Sequence, residues 1–156
     1  MLTLSLIAAS LAPLFVQSPP PAPACYVLTT QEIAMLVGSS KPLTVTSTGT
    51  GSTCMFQNGE RIVTVLLVKV ASADAAKGLW EGKKRVVAGQ DAAGWATPAY
   101  VGTIDTAKDH AAIVGVYSGL TFVEAKAIDN TQKTAALGSA LQTAMKAAAA
   151  RLAAQK

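Results

Sequence analysis

Histidine is nearly absent from this sequence, since His110 is the only one in 156 residues. Nucleophilic triads and most acid–base schemes use histidine, and zinc sites need three or four converging ligands. Cys25 and Cys54 lie far apart, without the short spacing of a zinc site or a redox motif. The sequence therefore predicts a protein that is not an enzyme and binds no metal or cofactor. We interpret His110 as a solvated turn residue.

Charge and aromatic residues are also scarce, at 14% and 5% of the chain. The net charge of +4 comes from 13 basic and 9 acidic residues that are spread along the sequence. The one basic cluster, Lys83-Lys84-Arg85, is typical of a solvated helix face. This distribution argues against nucleic acid as a partner.

The chain opens with an apolar run, Met1 to Ala12, which is shorter than a membrane span and matches the core of a signal peptide. We therefore predict a signal peptide and Pro-rich spacer over residues 1–24, followed by one domain over residues 25–156. No basic residue precedes the run, and cleavage can follow Ser18, where Pro19 is unfavourable, or Ala24. The expected location is secreted or periplasmic, with an uncleaved membrane anchor as the alternative and no integral membrane domain after signal removal.

Cys25 follows this leader, so it has two interpretations. It can be the lipid-modified first residue of a lipoprotein, or it can form a disulfide bond with Cys54. The residues before it, Ala22-Pro23-Ala24, lack the aliphatic residue that a lipidation signal requires three positions earlier. An exported chain with two cysteines favours the disulfide.

The clearest local signal is a capping box at Thr29-Thr30-Gln31-Glu32, which predicts a helix that ends near Val37, before Gly38. Strands follow at Leu43–Thr48 and Thr53–Gln57. Asn58-Gly59 predicts a type I′ hairpin to Arg61–Val70, which is apolar on both faces and suits the middle of a sheet.

Ser72 is a suitable cap for a second helix that runs to about Val87, with Leu79, Trp80, Val86 and Val87 facing inward. The segment Ala88–Pro98 then reads as a long loop that contains Trp95. A tryptophan in such a loop either plugs the core or belongs to a binding surface. The candidate binding residues on and beside this loop are Gln90, Asp91, Trp95 and Tyr100.

The last third of the chain predicts three strands, Tyr100–Asp105, His110–Tyr117 and Leu120–Ile128, with a turn at Ser118-Gly119. A helix from Thr131 to Ala154, capped by Asp129 or Asn130, closes the chain. The expected fold is α+β, a mainly antiparallel sheet of five to six strands with flanking helices in the order α-β-β-β-α-β-β-β-α. The repeat of a helix and a strand cluster hints at internal duplication, although the two halves do not match residue by residue.

The stretch from Cys25 to Ile33, followed by Gly38 and by Ser52 to Phe56, resembles the opening of small bacterial secreted or lipoprotein-like domains of unknown function. It is similar in layout to the extracellular sensor domain of a mycobacterial Ser/Thr kinase. A weaker similarity to the same domains follows at Gly89–Ala92 and Ala99-Tyr100. The resemblance implies a sheet flanked by helices, a disulfide from Cys25 to Cys54, and an extracytoplasmic role in sensing or binding. It carries over no catalytic residue.

Together these features predict a non-enzymatic binding or interaction module outside the cytoplasm, with an unknown protein or small molecule of the cell envelope as its partner. One alternative is a hydrolase that uses Asp91 with a second carboxylate brought near by folding. Another is a structural envelope component that self-associates through an exposed sheet edge.

Overall fold

The structure, a computed structural model, describes residues 23–38, 42–48, 52–105, 110–129 and 134–155. Residues 1–22, with the predicted signal peptide and most of the spacer, lie outside the described residues, and so does the predicted cap Asn130. The α+β class is confirmed, because three α-helices flank one antiparallel sheet in these ranges. None of the helices in the described part of the chain is long and apolar enough to cross a membrane.

The described sheet has seven strands, one more than the upper prediction, in the spatial order β1-β2-β3-β7-β6-β5-β4. The extra strand, β4, has two residues and lies within the segment that was predicted as a loop. The elements are a 3-10 helix Pro23–Tyr26, α1 Thr30–Val37, β1 Thr44–Ser47, β2 Thr53–Asn58, β3 Arg61–Lys69, α2 Ala73–Val86, β4 Gln90–Asp91, β5 Ala99–Asp105, β6 His110–Ser118, β7 Thr121–Asp129 and α3 Thr134–Ala153.

Both predicted hairpins form, but each turn is centred one residue later than expected. Asn58 pairs with Arg61 across the first hairpin, so the turn residues are Gly59 and Glu60. Gly59 has a φ of 64°, whereas Asn58 stays in the strand. A positive φ at the first turn position alone is the type II′ pattern, which favours glycine there. Asn58 has another role, since its buried side chain donates to the Gly38 carbonyl at 2.7 Å.

The main core lies on the sheet face that carries α1 and α3. Alternate residues of the central strands point to this face, as the two-residue period of a strand requires. α3 crosses this face with Leu141 and Met145 fully buried. Among the buried side chains of this core are Leu36, Phe56, Val63, Val65, Val114, Val116, Val123, Leu141 and Met145.

On the opposite face α2 packs mainly on β5, β6 and β7, whereas the four residues of β1 are exposed. Under α2 lies a smaller core built around the fully buried rings of Tyr100 and Phe122. Trp80 faces inward from α2, as predicted, with its ring centroid 5.9 Å from that of Tyr100. The β5–β7 half of the sheet is therefore buried on both faces.

The capping box at the start of α1 is confirmed. The Thr29 amide donates to Glu32 at 2.7 Å, and the Glu32 amide donates to the Thr29 hydroxyl at 3.2 Å. Arg151 of α3 adds two hydrogen bonds to the same carboxylate, at 2.7 and 2.8 Å. Burial opposes ionisation of Glu32, but the bonds from Arg151 and Thr29 outweigh it and lower the pKa of this carboxyl. The cap thus also ties the two helices together.

The predicted disulfide is confirmed, with the Cα atoms of Cys25 and Cys54 5.1 Å apart. Cys25 belongs to the 3-10 helix and Cys54 to β2. The bond therefore fixes the start of the domain to the sheet, one strand in from the edge strand β1.

Asp129 is one of the two predicted caps of α3, and residues 130–133, which separate it from the described part of that helix, lie outside the described residues. Asp129 ends β7 opposite Arg61 and is almost fully buried, where its carboxylate accepts from the Arg61 guanidinium at 2.8 Å. A buried carboxylate needs a charged or hydrogen-bonding partner, and the register of the central strands supplies one.

Candidate binding site

The segment Ala88–Pro98 begins with a turn that ends α2. The Gly89 amide donates to the Lys84 carbonyl at 2.8 Å, and the Ala88 amide donates to the Arg85 carbonyl at 3.2 Å. These two bonds form a Schellman motif with Ala88 as its left-handed residue, at a φ of 48°. Val87 then lies against Gly102, while Val86, which was predicted to face inward, is 82% exposed.

After this turn, Gln90 and Asp91 form the edge strand β4, in which Gln90 pairs with Val101 and Asp91 with Tyr100 of β5. The Ala92 amide continues the pairing with a bond of 2.9 Å to the Ala99 carbonyl. Both β4 side chains are exposed. Two of the candidate residues therefore lie on an edge strand, with their positions fixed by the sheet.

A cleft of about 590 Å³ separates β4 from α2. Within it, the Lys84 ammonium contacts the Asp91 carboxylate at 2.6 Å and lies 5.2 Å from the ring centroid of Trp80. This arrangement puts a cation between an aromatic ring and a carboxylate, with further charged and amide groups alongside. The cleft is lined by Trp80, Glu81, Lys84, Arg85, Ala88, Gly89, Gln90 and Asp91.

A second cavity, of about 350 Å³, lies at the same edge of the sheet, between the end of α2 and the first half of α3. Gln90 lines this cavity as well as the cleft. Among the described residues, no charged side chain lines it, and Gln90, Thr103 and Gln142 contribute its polar side chains. Its other lining residues are Val87, Ala88, Val101, Gly102, Ala112, Ile113, Val114 and Gly138.

Tyr100, the fourth candidate, lies fully buried under α2 and not in the loop. Its hydroxyl donates to the Glu124 carboxylate, which is also 3.6 Å from the Lys83 ammonium. Burial, together with this hydrogen bond to Glu124, raises the pKa of Tyr100 far above its usual range. The ring lies over Gly115, where an added Cβ would come within 2.2 Å of it. Tyr100 therefore supports β5 from within, while Gln90 and Asp91 face the solvent.

Trp95 lines neither the cleft nor the cavity. It is half-buried and packs against the main core, on the sheet face opposite to Tyr100. This placement agrees with the interpretation of Trp95 as a core plug. The loop is thus pinned by its tryptophan and offers its polar residues at β4.

Several residues of the site were not among the sequence candidates. Lys84 and Trp80 belong to α2, and only the folded chain brings them beside β4. Gly138 and Gln142 come from α3, far along the sequence, and no local pattern relates them to Gln90. The single available signal was Gly138 itself, a residue that weakens a helix and is often kept for a packing reason.

The site offers few groups for catalysis. Glu81 and Asp91 line the same cleft, but their side chains are 52% and 71% exposed. Each lies beside a lysine, with Glu81 3.9 Å from Lys77. In the described part of the chain, no three histidine, cysteine or acidic residues are grouped so that they could hold a metal ion.

Comparison of the chain with protein-family models, with curated proteins and with solved structures finds no match. The resemblance to envelope sensor domains therefore stays a prediction.

Proposed function

We propose that the protein is exported and acts outside the cytoplasm as a non-enzymatic binding module, with its ligand contacts at β4. One observation carries this proposal: Gln90 lines both the cleft against α2 and the cavity against α3. The two spaces thus meet at one exposed, two-residue strand. The partner is a protein or a small molecule of the cell envelope.

The shape and chemistry of the two spaces support binding. Their volumes, about 590 and 350 Å³, fall in the range that small-molecule sites occupy. Valine and alanine side chains line the cavity with a few amide and hydroxyl groups, which is the usual composition of a binding site. The walls come from two helices and a sheet, and such rigid elements hold contacts in place.

The alternative of a carboxylate hydrolase has less support at this site. A general acid in glycoside hydrolysis needs apolar surroundings that keep its carboxyl protonated near neutral pH. Glu81 and Asp91 instead face solvent and lie beside lysines. Their exposure supports roles in recognition.

Export is supported by the disulfide bond between Cys25 and Cys54. Such bonds form and persist mainly in oxidising compartments. The test is to trap thiols with an alkylating agent in intact cells and to compare the chain's mass with and without reduction. Export predicts no alkylation before reduction; a chain alkylated at both cysteines in fresh cells would contradict it.

Binding can be tested with a set of small amides, sugars and carboxylates added to isotope-labelled protein. We expect amide resonance shifts in β4 and in the residues that line the two spaces. The double change Gln90→Ala and Asp91→Ala should abolish these shifts and leave the melting temperature nearly unchanged, because both side chains are exposed. Shifts that survive this change, or that map to another surface, would refute the site; turnover of chromogenic glycosides or esters would refute the non-enzymatic role.

A specific feature favours a second candidate, the self-associating envelope component. All four residues of β1 are exposed, the strand has no charge or proline, and no other described strand covers its outer side. Such an edge can pair with a second copy of the chain. Sedimentation at several concentrations should then reveal a dimer that Val45→Lys disrupts and that the matched surface change Val86→Lys leaves intact. A monomer at all concentrations would exclude it.

A further inference from the structure

The edge of β5 continues beyond its partner strand. β4 pairs with Tyr100 and Val101, and no other described strand lies beside the next residues, Gly102 to Ile104. Thr103 would face Ala88 if the pairing continued, but the left-handed backbone of Ala88 turns the chain away at that point. A short stretch of β5 is therefore left at the rim of the 350 Å³ cavity.

The hydrogen-bond pattern fixes which main-chain groups this stretch presents. The Pro98 carbonyl accepts from Tyr117 of β6, whereas the Ala99 carbonyl accepts from Ala92 on the outer side. Main-chain groups alternate in direction along an antiparallel strand. The N–H and C=O of Thr103 therefore point outward, where they can pair with another main chain.

The cavity adjoins these groups on the face of the sheet that carries α3. Val101 and Thr103 both line it, and every second side chain of an added strand would point to the same face. On the α3 side the cavity is bounded by Gly138, which has no side chain to fill it. A Cβ added at Gly138 would lie 3.8 Å from the Cβ of Ala112, an ordinary contact distance. The space suits one uncharged side chain, since none of the described residues that line it is charged.

We propose that the ligand is an extended peptide that adds to the bare edge of β5 and inserts one apolar side chain into this cavity, an inference that rests on the proposed binding function. Thr103 supplies main-chain hydrogen bonds, and the amides of Gln90 and Gln142 bind further peptide groups. Main-chain pairing gives such complexes their affinity, and the cavity gives them specificity.

The probe is a blocked five-residue peptide with a leucine between two pairs of threonines. We expect it to shift the amide resonances of Val101–Ile104 and to slow hydrogen exchange at the Thr103 amide about tenfold at saturation. Two matched peptides test the chemistry, one with glutamate in place of the leucine and one with the main-chain amides methylated. Each should bind at least tenfold more weakly. Equal binding of all three peptides, or no binding at millimolar concentration, would overturn the proposal.

The site is tested by Gly138→Leu, which fills the cavity and replaces a residue that weakens α3. We expect loss of peptide binding without a lower melting temperature. The matched control is Gly78→Leu on α2, where nothing lies within 4 Å of an added Cβ, and it should leave binding intact. Binding that persists in the Gly138 variant would also overturn the proposal. If the peptides fail while small molecules still shift β4, the peptide class is wrong and the binding function stands; if both fail, both are wrong.

Discussion

At one edge of the sheet, β1 pairs along its whole length with β2; at the other, β4 covers two residues of β5 and then ends. The edges also differ in their support. A covalent bond from Cys25 fixes β2, the neighbour of β1, whereas β5 depends on the packing of the Tyr100 ring beneath α2. The cleft and the cavity described above lie beside the second edge, where two helices and a short strand meet without filling the space between them. Further spaces, of about 540 and 220 Å³, lie around Pro23, Leu67 and Leu152. A covalent bond thus holds one edge of the sheet, whereas the cleft and the cavity meet at the other edge.

The largest expected effect comes from removing the covalent tie. Changing Cys25→Ser together with Cys54→Ala should reduce the free energy of unfolding by about 3–4 kcal/mol, because the bond closes a loop of roughly 30 residues. Urea unfolding followed by circular dichroism measures the loss. Hydrogen exchange should accelerate first in β1 and β2, and a loss below about 1 kcal/mol would mean that packing alone holds this edge.

At the opposite edge, the substitution expected to destabilise the fold most is at Gly115. An alanine Cβ there would lie 2.2 Å from the Tyr100 ring, which is fully buried. Gly115→Ala should therefore reduce stability by about 1–3 kcal/mol, as overpacking does, and accelerate exchange mainly in β5. The control is Gly78→Ala, at an open position on α2, which should be neutral or stabilising. Wild-type stability of the Gly115 variant would show that the ring is not fixed.

The sequence anticipated these two edges unequally. The capping box and the glycine turns are local signals, which lie within a few residues of the structure they specify, and the two cysteines allow a single pairing. The β1–β3 half was therefore predicted with its connections, although its turn is centred one residue later. β4 was missed because two residues have no periodicity to recognise. The site at this edge also depends on Gly138 and Gln142 of α3, which only the tertiary fold brings to Gln90.

The repeated pattern of a helix and a strand cluster, which hinted at internal duplication, can be compared with the packing. Counted outward from the central pair, the strands are β3, β2 and β1 on one side and β7, β6 and β5 on the other. A two-fold axis between antiparallel neighbours stands perpendicular to the sheet and would keep both helices on one face. Instead, α1 packs into the core on one face and α2 into the core on the other. The pattern of elements repeats, but their packing does not.

A smaller effect concerns the ionic support near the disulfide. The pKa of Glu32 is lowered in the folded state, so its contribution to stability is complete above the unfolded pKa, about 4.3, and is lost as the pH falls through the lower folded value. Glu32→Gln should reduce stability at pH 7 by about 1–2 kcal/mol and flatten its dependence on pH between about 5 and 3. The matched change Glu81→Gln, on a half-exposed carboxylate, should leave the acid limb as in the wild type. If the stability of the wild type and of the Glu32 variant fell in parallel with decreasing pH, this carboxylate would not be the source of the pH dependence.

The smallest expected effect lies at the turn that ends β4's pairing with β5. Ala88 holds a φ of 48°, a conformation that alanine adopts at a penalty and glycine adopts freely. Both hydrogen bonds of the Schellman motif depend on it, and neither uses the alanine side chain. Ala88→Gly should therefore raise the free energy of unfolding by up to about 1 kcal/mol, since the relief of strain is partly offset by the greater freedom of glycine in the unfolded chain. The matched change Ala93→Gly, at an exposed position in the same segment where the backbone is not left-handed, should be neutral or destabilising.

Because the turn keeps its shape in the Ala88 variant, the Thr103 edge should remain unpaired and peptide binding should be unchanged. A destabilised Ala88 variant would mean that contacts of the methyl group, and not the backbone, hold the turn.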